Sequence, residues 1–317
     1  MNKPLFVTFF RMEGKIRFAP SPTGYLHEGH LLSALYVWAA AKKWGLHIHL
    51  RIEDHDQGRA RPEYIQSIYD DLEWCGFRWD TQSIQSERGN IYKAALEKLE
   101  WQGLVYPCYC SRKQLEAENP KSETGEIIYQ GKCRLRHTEA LRSKASVSMD
   151  TLVPSALRCD EQPHNLRIAI PDKVIHWHDE RLGDFAENPK LQCGDFPIRD
   201  REGQWTYQFA VCVDDIEEGI THIVRGEDIR SSTARQIALM SLLGCEEPPL
   251  YLHHPLIVDP AGKKLSKRER AHSIKMDRDA GVTPEILLGR VCHKAKLAPT
   301  PAPLSLEKAI SIVIHSL

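Results

Sequence analysis

The stretch Lys15-Ile16-Arg17-Phe18-Ala19-Pro20-Ser21-Pro22-Thr23-Gly24, followed by His27-Glu28-Gly29-His30 and then by Leu46-His47-Ile48-His49-Leu50-Arg51-Ile52, decides the fold class. Lys15 to Phe18 reads as a short strand, ended by a dense cluster of turn residues. From Glu28 to Lys43 the chain is rich in Leu and Ala, with Gly45 as its C-terminal stop, which predicts a helix. Leu46 to Ile52 alternates apolar and polar residues, as a strand does. Strand, helix and strand in so short a span form a βαβ unit, which demands a parallel sheet and a right-handed crossover.

Arg61-Pro62 through Trp74 and Ile91 to Gln102 predict two more helices. Cys108 to about Asp195 is rich in turns and charge and reads as an insertion, not a continuation of the sheet. Strand and helix signals then return: strands at Trp205 to Val213, Thr221 to Val224 and Leu250 to Val258, and a helix at Ser232 to Leu243. A basic loop, a helical stretch, a Pro/Ala linker near Ala298 to Pro303 and an amphipathic segment at Leu306 to Ile314 close the chain. The expected organisation is a Rossmann-like α/β catalytic domain in two halves, 1–107 and 196–260, interrupted by 108–195 and followed by a helical region, 261–317.

Composition narrows the function. The 317 residues are 42% hydrophobic and 27% charged, enough for a real core in a soluble protein. Lys plus Arg number 42 against 43 Asp plus Glu, so contact with a polyanion must use local patches. Nine scattered cysteines without a secretory signal favour a reducing cytoplasm, with thiols free or metal-bound. The longest nearly apolar run, Leu31 to Ala41, is far below the roughly 20 residues that span a bilayer.

Two constellations carry chemistry. His27 and His30 share a face at the start of the first helix, where free N–H groups and partial positive charge suit a triphosphate. Gly29 between them leaves room for a flat ring such as adenine, and the imidazoles can donate to charge growing on phosphate. Taken alone, a His-x-x-His is more often a surface helix cap. Far along the chain, Gly262-Lys263-Lys264-Leu265-Ser266-Lys267-Arg268 is a basic loop whose cations can fold over phosphates, with Lys267 the point charge for the leaving pyrophosphate. Alone, such a loop is usually solvated surface. Neither a Walker-type loop nor G-x-G-x-x-G occurs, so ordinary kinase and dinucleotide readings lack their support.

Together, His27-Glu28-Gly29-His30 and Lys264-Leu265-Ser266-Lys267-Arg268 resemble the HIGH and KMSKS motifs of class I aminoacyl-tRNA synthetases. The run Arg17 to Gly24, Arg51-Ile52-Glu53-Asp54 and Val224-Arg225-Gly226-Glu227-Asp228 resemble the glutamyl branch, over about residues 15 to 290. The chain ends where a full glutamyl-tRNA synthetase continues into an anticodon-binding region, so it resembles the truncated glutamyl-Q tRNA(Asp) synthetases. The resemblance implies ATP-dependent, tRNA-independent activation of L-glutamate. Transfer to queuosine at the wobble position of tRNA(Asp) would follow. It places His27, His30 and Lys267 in catalysis, and His27, Gly29, His30, Lys264, Ser266 and Lys267 around ATP with its Mg²⁺.

The resemblance also assigns a glutamate pocket to Arg17, Ala19, Ser21, Glu53, Tyr207 and Arg225. The chemistry agrees: guanidiniums pair with carboxylates, a glutamate at a strand's C-terminal end suits an ammonium, and Ser21 and Tyr207 offer hydroxyls. Singly, each has a plainer reading, such as a strand-end ion pair for Arg17 and Glu53.

Cys108-Tyr109-Cys110 and Cys133 suggest a structural zinc site. Ligand chemistry alone nominates His137 as the fourth ligand, whereas the resemblance supplies Tyr129, the Tyr of Tyr-x-x-x-Cys. Two rival readings keep an enzyme: a compact glutamyl-tRNA synthetase acting on a tRNA 3′ end, and a HIGH-type small-molecule nucleotidyltransferase. A third is a non-catalytic zinc-bearing tRNA-binding protein. A cytoplasmic monomer with no membrane contact is expected.

Overall fold

A computed structural model describes residues 14–122, 125–145, 163–257 and 272–317. The opening unit forms as the sequence predicts: β1 (Lys15–Phe18), α1 (Glu28–Trp44) and β2 (His47–Ile52), with β1 and β2 parallel. Gly45 ends α1 at φ 67°, the left-handed conformation that glycine adopts without a Cβ penalty. The middle of α1 is buried all round, from Leu31 to Ala41 apart from Ser33, because sheet covers one side and later helices the other. Replacing Leu35, which is fully buried there, by Ala should cost about 2–5 kcal/mol.

The chain continues through α2 (Pro62–Trp74), β3 (Thr81–Ile84), a 3₁₀ turn (Gln85–Arg88), α3 (Gly89–Trp101), β4 (Val105–Cys108), α4 (Arg112–Glu118) and α5 (Lys132–Ala145). Then follow β5 (Asn165–Ile168), β6 (Ile175–Asp179), β7 (Gly183–Glu187), α6 (Pro189–Gln192) and β8 (Phe196–Arg199). The last part holds α7 (Tyr207–Glu217), β9 (His222–Gly226), α8 (Thr233–Leu242), β10 (Leu250–His254), α9 (Ile274–Asp279), α10 (Pro284–Lys294) and α11 (Leu306–Ser316).

Seven strands form one sheet in the order β3-β2-β1-β9-β10-β6-β7, parallel except for the β6–β7 hairpin. A separate antiparallel sheet, β4-β5-β8, stands beside it. Two sequence expectations need correction. Trp205 to Val213 is not a strand: from Tyr207 onward it is helix α7, whose apolar residues pack inward against α3 and α8. The 108–195 stretch does not stay off the sheet, since β6 pairs with β10 and brings β7 with it. Among the described residues, no helix is long and apolar enough to cross a membrane.

Strand alternation sorts the two faces of the sheet. Ile16, Phe18, Leu50, Ile52, Val224 and Leu252 point into a core shared with α1, α10 and α11. Ile223 and Tyr251 point the other way, toward α3, α7 and α8. Arg17, Arg51, Arg225 and His253 lie in phase with that second face, and all four are buried. The sheet thus has one apolar face and one that buries charge near its C-terminal edge.

Candidate active site

Because β1, β2, β9 and β10 are parallel, the residues that follow them meet at one edge. The turn after β1 leads to His27, the N-cap of α1. His27 Nδ1 accepts from the Gly29 N–H at 3.1 Å, and His30 Nδ1 accepts from the His27 N–H at 3.1 Å. With Nδ1 an acceptor, each neutral ring carries its proton on Nε2, a donor. The rings are 3.9 Å apart, centre to centre. A Cβ at position 29 would stand 3.0 Å from the His27 ring, so glycine leaves that ring its room.

Glu28 plays a different part. Its carboxylate is held by Arg290 and Lys294 of α10, each at 2.6 Å. Arg290 also pairs with Asp277 of α9, and Asp277 accepts from His272 at 2.9 Å. Backbone pairing adds to this: Ser273 bridges to His27, and the Ile274 N–H donates to Leu26 O at 2.8 Å. The chain that leaves the basic loop is therefore fastened to the histidine turn. Lys264, Ser266 and Lys267 themselves lie outside the described residues.

The structure brings Arg17, Glu53, Tyr207 and Arg225 together, and Ala19 and Ser21 lie in the adjoining turn. The Glu53 N–H donates to Pro20 O at 3.1 Å, hanging that turn beside the end of β2. Glu53 is buried, and burial pushes its carboxyl above the usual range against the pull of Arg51, Arg17 and His55. Tyr207 opens α7 instead of sitting in a strand. Burial pushes its phenol up, and the charges of Arg225, Glu53, Arg17 and Asp215 all act on it.

A charge network surrounds Arg17 and Arg51. Asp215 accepts from Arg17 Nε at 3.0 Å and from Arg51 at 2.6 Å. Burial would push the Asp215 carboxyl up, but Arg17 and Arg51 outweigh it and hold it low. Arg51, fully buried, also donates to Glu218 at 2.7 Å. Despite burial, His49 and Arg51 hold Glu218 down to about 2. Asp214 accepts from Arg88 at 2.6 Å, Gln85 at 2.7 Å and Tyr92 at 2.9 Å. Sequence reasoning missed Arg51, Asp214, Asp215 and Glu218 as a supporting set. The signal available was Asp214-Asp215 closing an apolar run, where two adjacent carboxylates make little sense unless cations face them.

Arg225 differs from Arg17. It donates to Gln236 at 2.6 Å, Thr233 at 2.8 Å and His253 Nε2 at 3.0 Å, and forms no ion pair among the described residues. A guanidinium has five N–H donors, so each terminal nitrogen keeps one for another acceptor. A buried cation with uncharged partners and two donors to spare suits an incoming carboxylate.

The cysteines form a second centre. The sulfurs of Cys108, Cys110 and Cys133 lie within 4.8 Å of one another, with Cys110 and Cys133 3.5 Å apart. Sulfurs around a tetrahedral zinc sit about 3.8 Å apart, given Zn–S near 2.3 Å, so the thiols fit the metal. The Tyr129 hydroxyl is 3.7 Å from the Cys108 sulfur and accepts from the Cys133 N–H at 2.8 Å. Gly194, at φ 66°, lets Tyr129 pack in: a Cβ there would lie 2.1 Å from the Tyr129 carbonyl oxygen. His137 stands one helical turn beyond Cys133 on α5.

The fold and both centres define a class I synthetase catalytic domain. Residues 14–295 match the family model for the catalytic domain of class I tRNA synthetases of the E and Q type. The chain is 36% identical over 308 residues to a glutamyl-Q tRNA(Asp) synthetase of Nitratidesulfovibrio vulgaris, covering 94% of this chain and 91% of the relative. A glutamyl-Q tRNA(Asp) synthetase of Neisseria gonorrhoeae is 39% identical over 287 residues, covering 90% and 89%. Among solved structures, a glutamate-tRNA synthetase from Elizabethkingia anophelis superposes with a TM-score of 0.71 at 28% identity. That match covers 94% of this chain and only 65% of that longer one. The chain belongs to the glutamyl-Q tRNA(Asp) synthetase family of class I synthetases, and it is an enzyme of the ligase class.

Proposed function

We propose that the enzyme activates L-glutamate with ATP, as its magnesium complex and without tRNA, and then transfers glutamate to queuosine at the wobble position of tRNA(Asp). The observation that carries the reading is the meeting of Arg17, Glu53, Tyr207 and Arg225 at the sheet edge that also bears the His27/His30 turn. Glu53 would take the substrate ammonium and Arg225 its side-chain carboxylate, with Tyr207, Ser21 and the Ala19 backbone closing the pocket. Glutamine would be rejected because its amide leaves a buried guanidinium without an anion.

ATP would lie with its phosphates against the α1 N-terminus, between the two imidazoles and Lys267. The glutamate α-carboxylate attacks the α-phosphate, giving glutamyl-adenylate and pyrophosphate. His27 and His30 donate to the crowded phosphate oxygens, and positioning supplies most of the rate. Lys264, Ser266 and Lys267 would supply cations and a hydroxyl to the phosphates, and the chain is tied to the histidine turn at Ser273, six positions beyond Lys267. The acceptor hydroxyl then attacks the activated carbonyl and releases AMP.

Zinc, held by Cys108, Cys110 and Cys133 with Tyr129 as fourth ligand, would knit together a region with little apolar core. The cytoplasm, which keeps thiols reduced, suits that site. The acceptor is tested with radiolabelled glutamate and tRNA(Asp) with and without queuosine. Labelling only of the queuosine form is expected. Equal labelling of both, or labelling only of tRNA(Glu), overturns the assignment.

A further inference from the structure

The β6–β7 hairpin has no part in the chemistry just described, yet it ends in a fully buried carboxylate. Asp179, the last residue of β6, pairs with β10 opposite Tyr251. Its Oδ1 accepts from the N–H groups of Arg181 at 3.1 Å and Leu182 at 2.9 Å. Its Oδ2 accepts from the His253 N–H at 3.0 Å and lies 2.6 Å from His253 Nδ1. Four donors on one carboxylate favour the ionised form despite burial.

The tautomer of His253 follows. An ionised carboxylate on Nδ1 requires the proton there, so Nε2 of the neutral ring is an acceptor. That acceptor receives Arg225 Nε at 3.0 Å. The ring is also clamped: Tyr251 stacks on it at 6.2 Å and 2°, and Trp177 of the hairpin meets it edge-on at 5.9 Å. Burial holds the imidazole below its ordinary value, in keeping with a neutral ring facing a cation. Arg181 of the hairpin turn donates to His253 O at 2.6 Å, latching the hairpin onto β10.

We infer that Asp179 and His253 are positioning residues for glutamate selection, presenting Arg225 to the substrate side-chain carboxylate in one orientation with its charge unneutralised. The inference rests on the glutamate pocket proposed above. An acid in direct contact with Arg225 would compete with the substrate; a neutral imidazole orients the guanidinium and leaves the charge for the ligand. The aspartate, one residue removed, fixes which ring nitrogen does this. The hairpin is thereby a part of the specificity pocket.

The test is glutamate-dependent ATP–pyrophosphate exchange without tRNA, on the full chain, with melting temperatures measured in parallel. His253→Leu removes the acceptor, and His253→Gln restores an oxygen facing Arg225. Asp179→Asn sets an amide donor against N–H groups or forces the other tautomer. We expect His253→Leu and Asp179→Asn to raise the glutamate KM at least tenfold and to narrow the preference over glutamine, with the ATP KM within twofold. His253→Gln should recover most of the loss. Unchanged glutamate KM in His253→Leu and Asp179→Asn overturns the inference, as does an equal rise in both KM values in all three variants. If His253→Leu does not fold, the contrast between His253→Gln and Asp179→Asn decides by the same criteria. Arg225→Gln separates the two ideas: its failure to impair glutamate use sinks the pocket itself, whereas impairment there with silent His253 and Asp179 variants sinks only this inference.

Discussion

The two centres of this molecule are held together by opposite means. At the sheet edge, Arg17, Arg51, Asp214, Asp215 and Glu218 converge from β1, β2 and the end of α7, and nearly every contact is an ion pair or a charged hydrogen bond within the protein. At the cysteine centre, a small buried set of Tyr106, Cys108, Cys110, Tyr129, Cys133 and Ala169 packs with Leu115 as its one partly buried apolar neighbour among the described residues. The Arg17–Arg51–Asp215–Glu218 network carries its own counter-charges, and only Arg225 beside it keeps donors and an unpaired charge for a ligand among the described residues. The second centre presents three buried thiols, of which burial pushes that of Cys110 up to about 12, and suits a metal that binds them as thiolates. Preorganisation at the edge is thus intramolecular, while the cysteine centre has the donor set to gain rigidity from a bound ion.

The sharpest way to break this contrast is Asp215→Ala. It leaves Arg17 and Arg51 buried without their shared anion, and should cost about 3–5 kcal/mol in urea unfolding. A loss below about 1 kcal/mol would mean that the network is not what holds the edge.

Acid unfolding sharpens the same point. The folded Glu218 carboxyl lies near 2, below its ordinary 4.5, so its contribution is present above the unfolded value and lost as pH falls toward 2. Glu53 and Asp214, whose carboxyls burial raises, work in the opposite sense and favour the folded state as they protonate. The stability gap between wild type and Glu218→Gln should therefore shrink by up to about 3 kcal/mol between about pH 5 and pH 2. A gap independent of pH contradicts this.

At the other centre, Cys108→Ser should weaken zinc retention at least tenfold, about 1.4 kcal/mol, in metal analysis after dialysis against a competing chelator. His137→Ala should leave retention within twofold. The reverse pattern would make His137 the ligand and Tyr129 a packing residue.

Much of this was legible in the sequence, for reasons that differ by element. β1, α1, β2, α2 and α3 announce themselves through turn residues, Gly45 and period. β3 was missed because Thr81-Gln82-Ser83 is a polar edge strand with no apolar face to betray it. Trp205 to Val213 was misread because a short apolar run fits a buried strand and a buried helix equally. The β6–β7 hairpin hid because His176 and His178 look like surface while Trp177 and Asp179 are buried. Arg17, Glu53, Tyr207 and Arg225 were nominated through motif and chemistry, and the fold gathers them. Their supports were invisible because they are joined only by folding: Arg17 to Asp215 across 198 positions, Arg51 to Asp215 across 164, Asp179 to His253 across 74.

We propose that one pocket, complete without RNA, selects a dicarboxylic amino acid for adenylation. This is tested most directly by ATP–pyrophosphate exchange in the absence of any tRNA, with glutamate and glutamine as alternative substrates. Robust exchange with glutamate is expected, with a kcat/KM for glutamine lower by about 10³-fold or more. Exchange that appears only when tRNA is added, or that proceeds equally with glutamine, would contradict it.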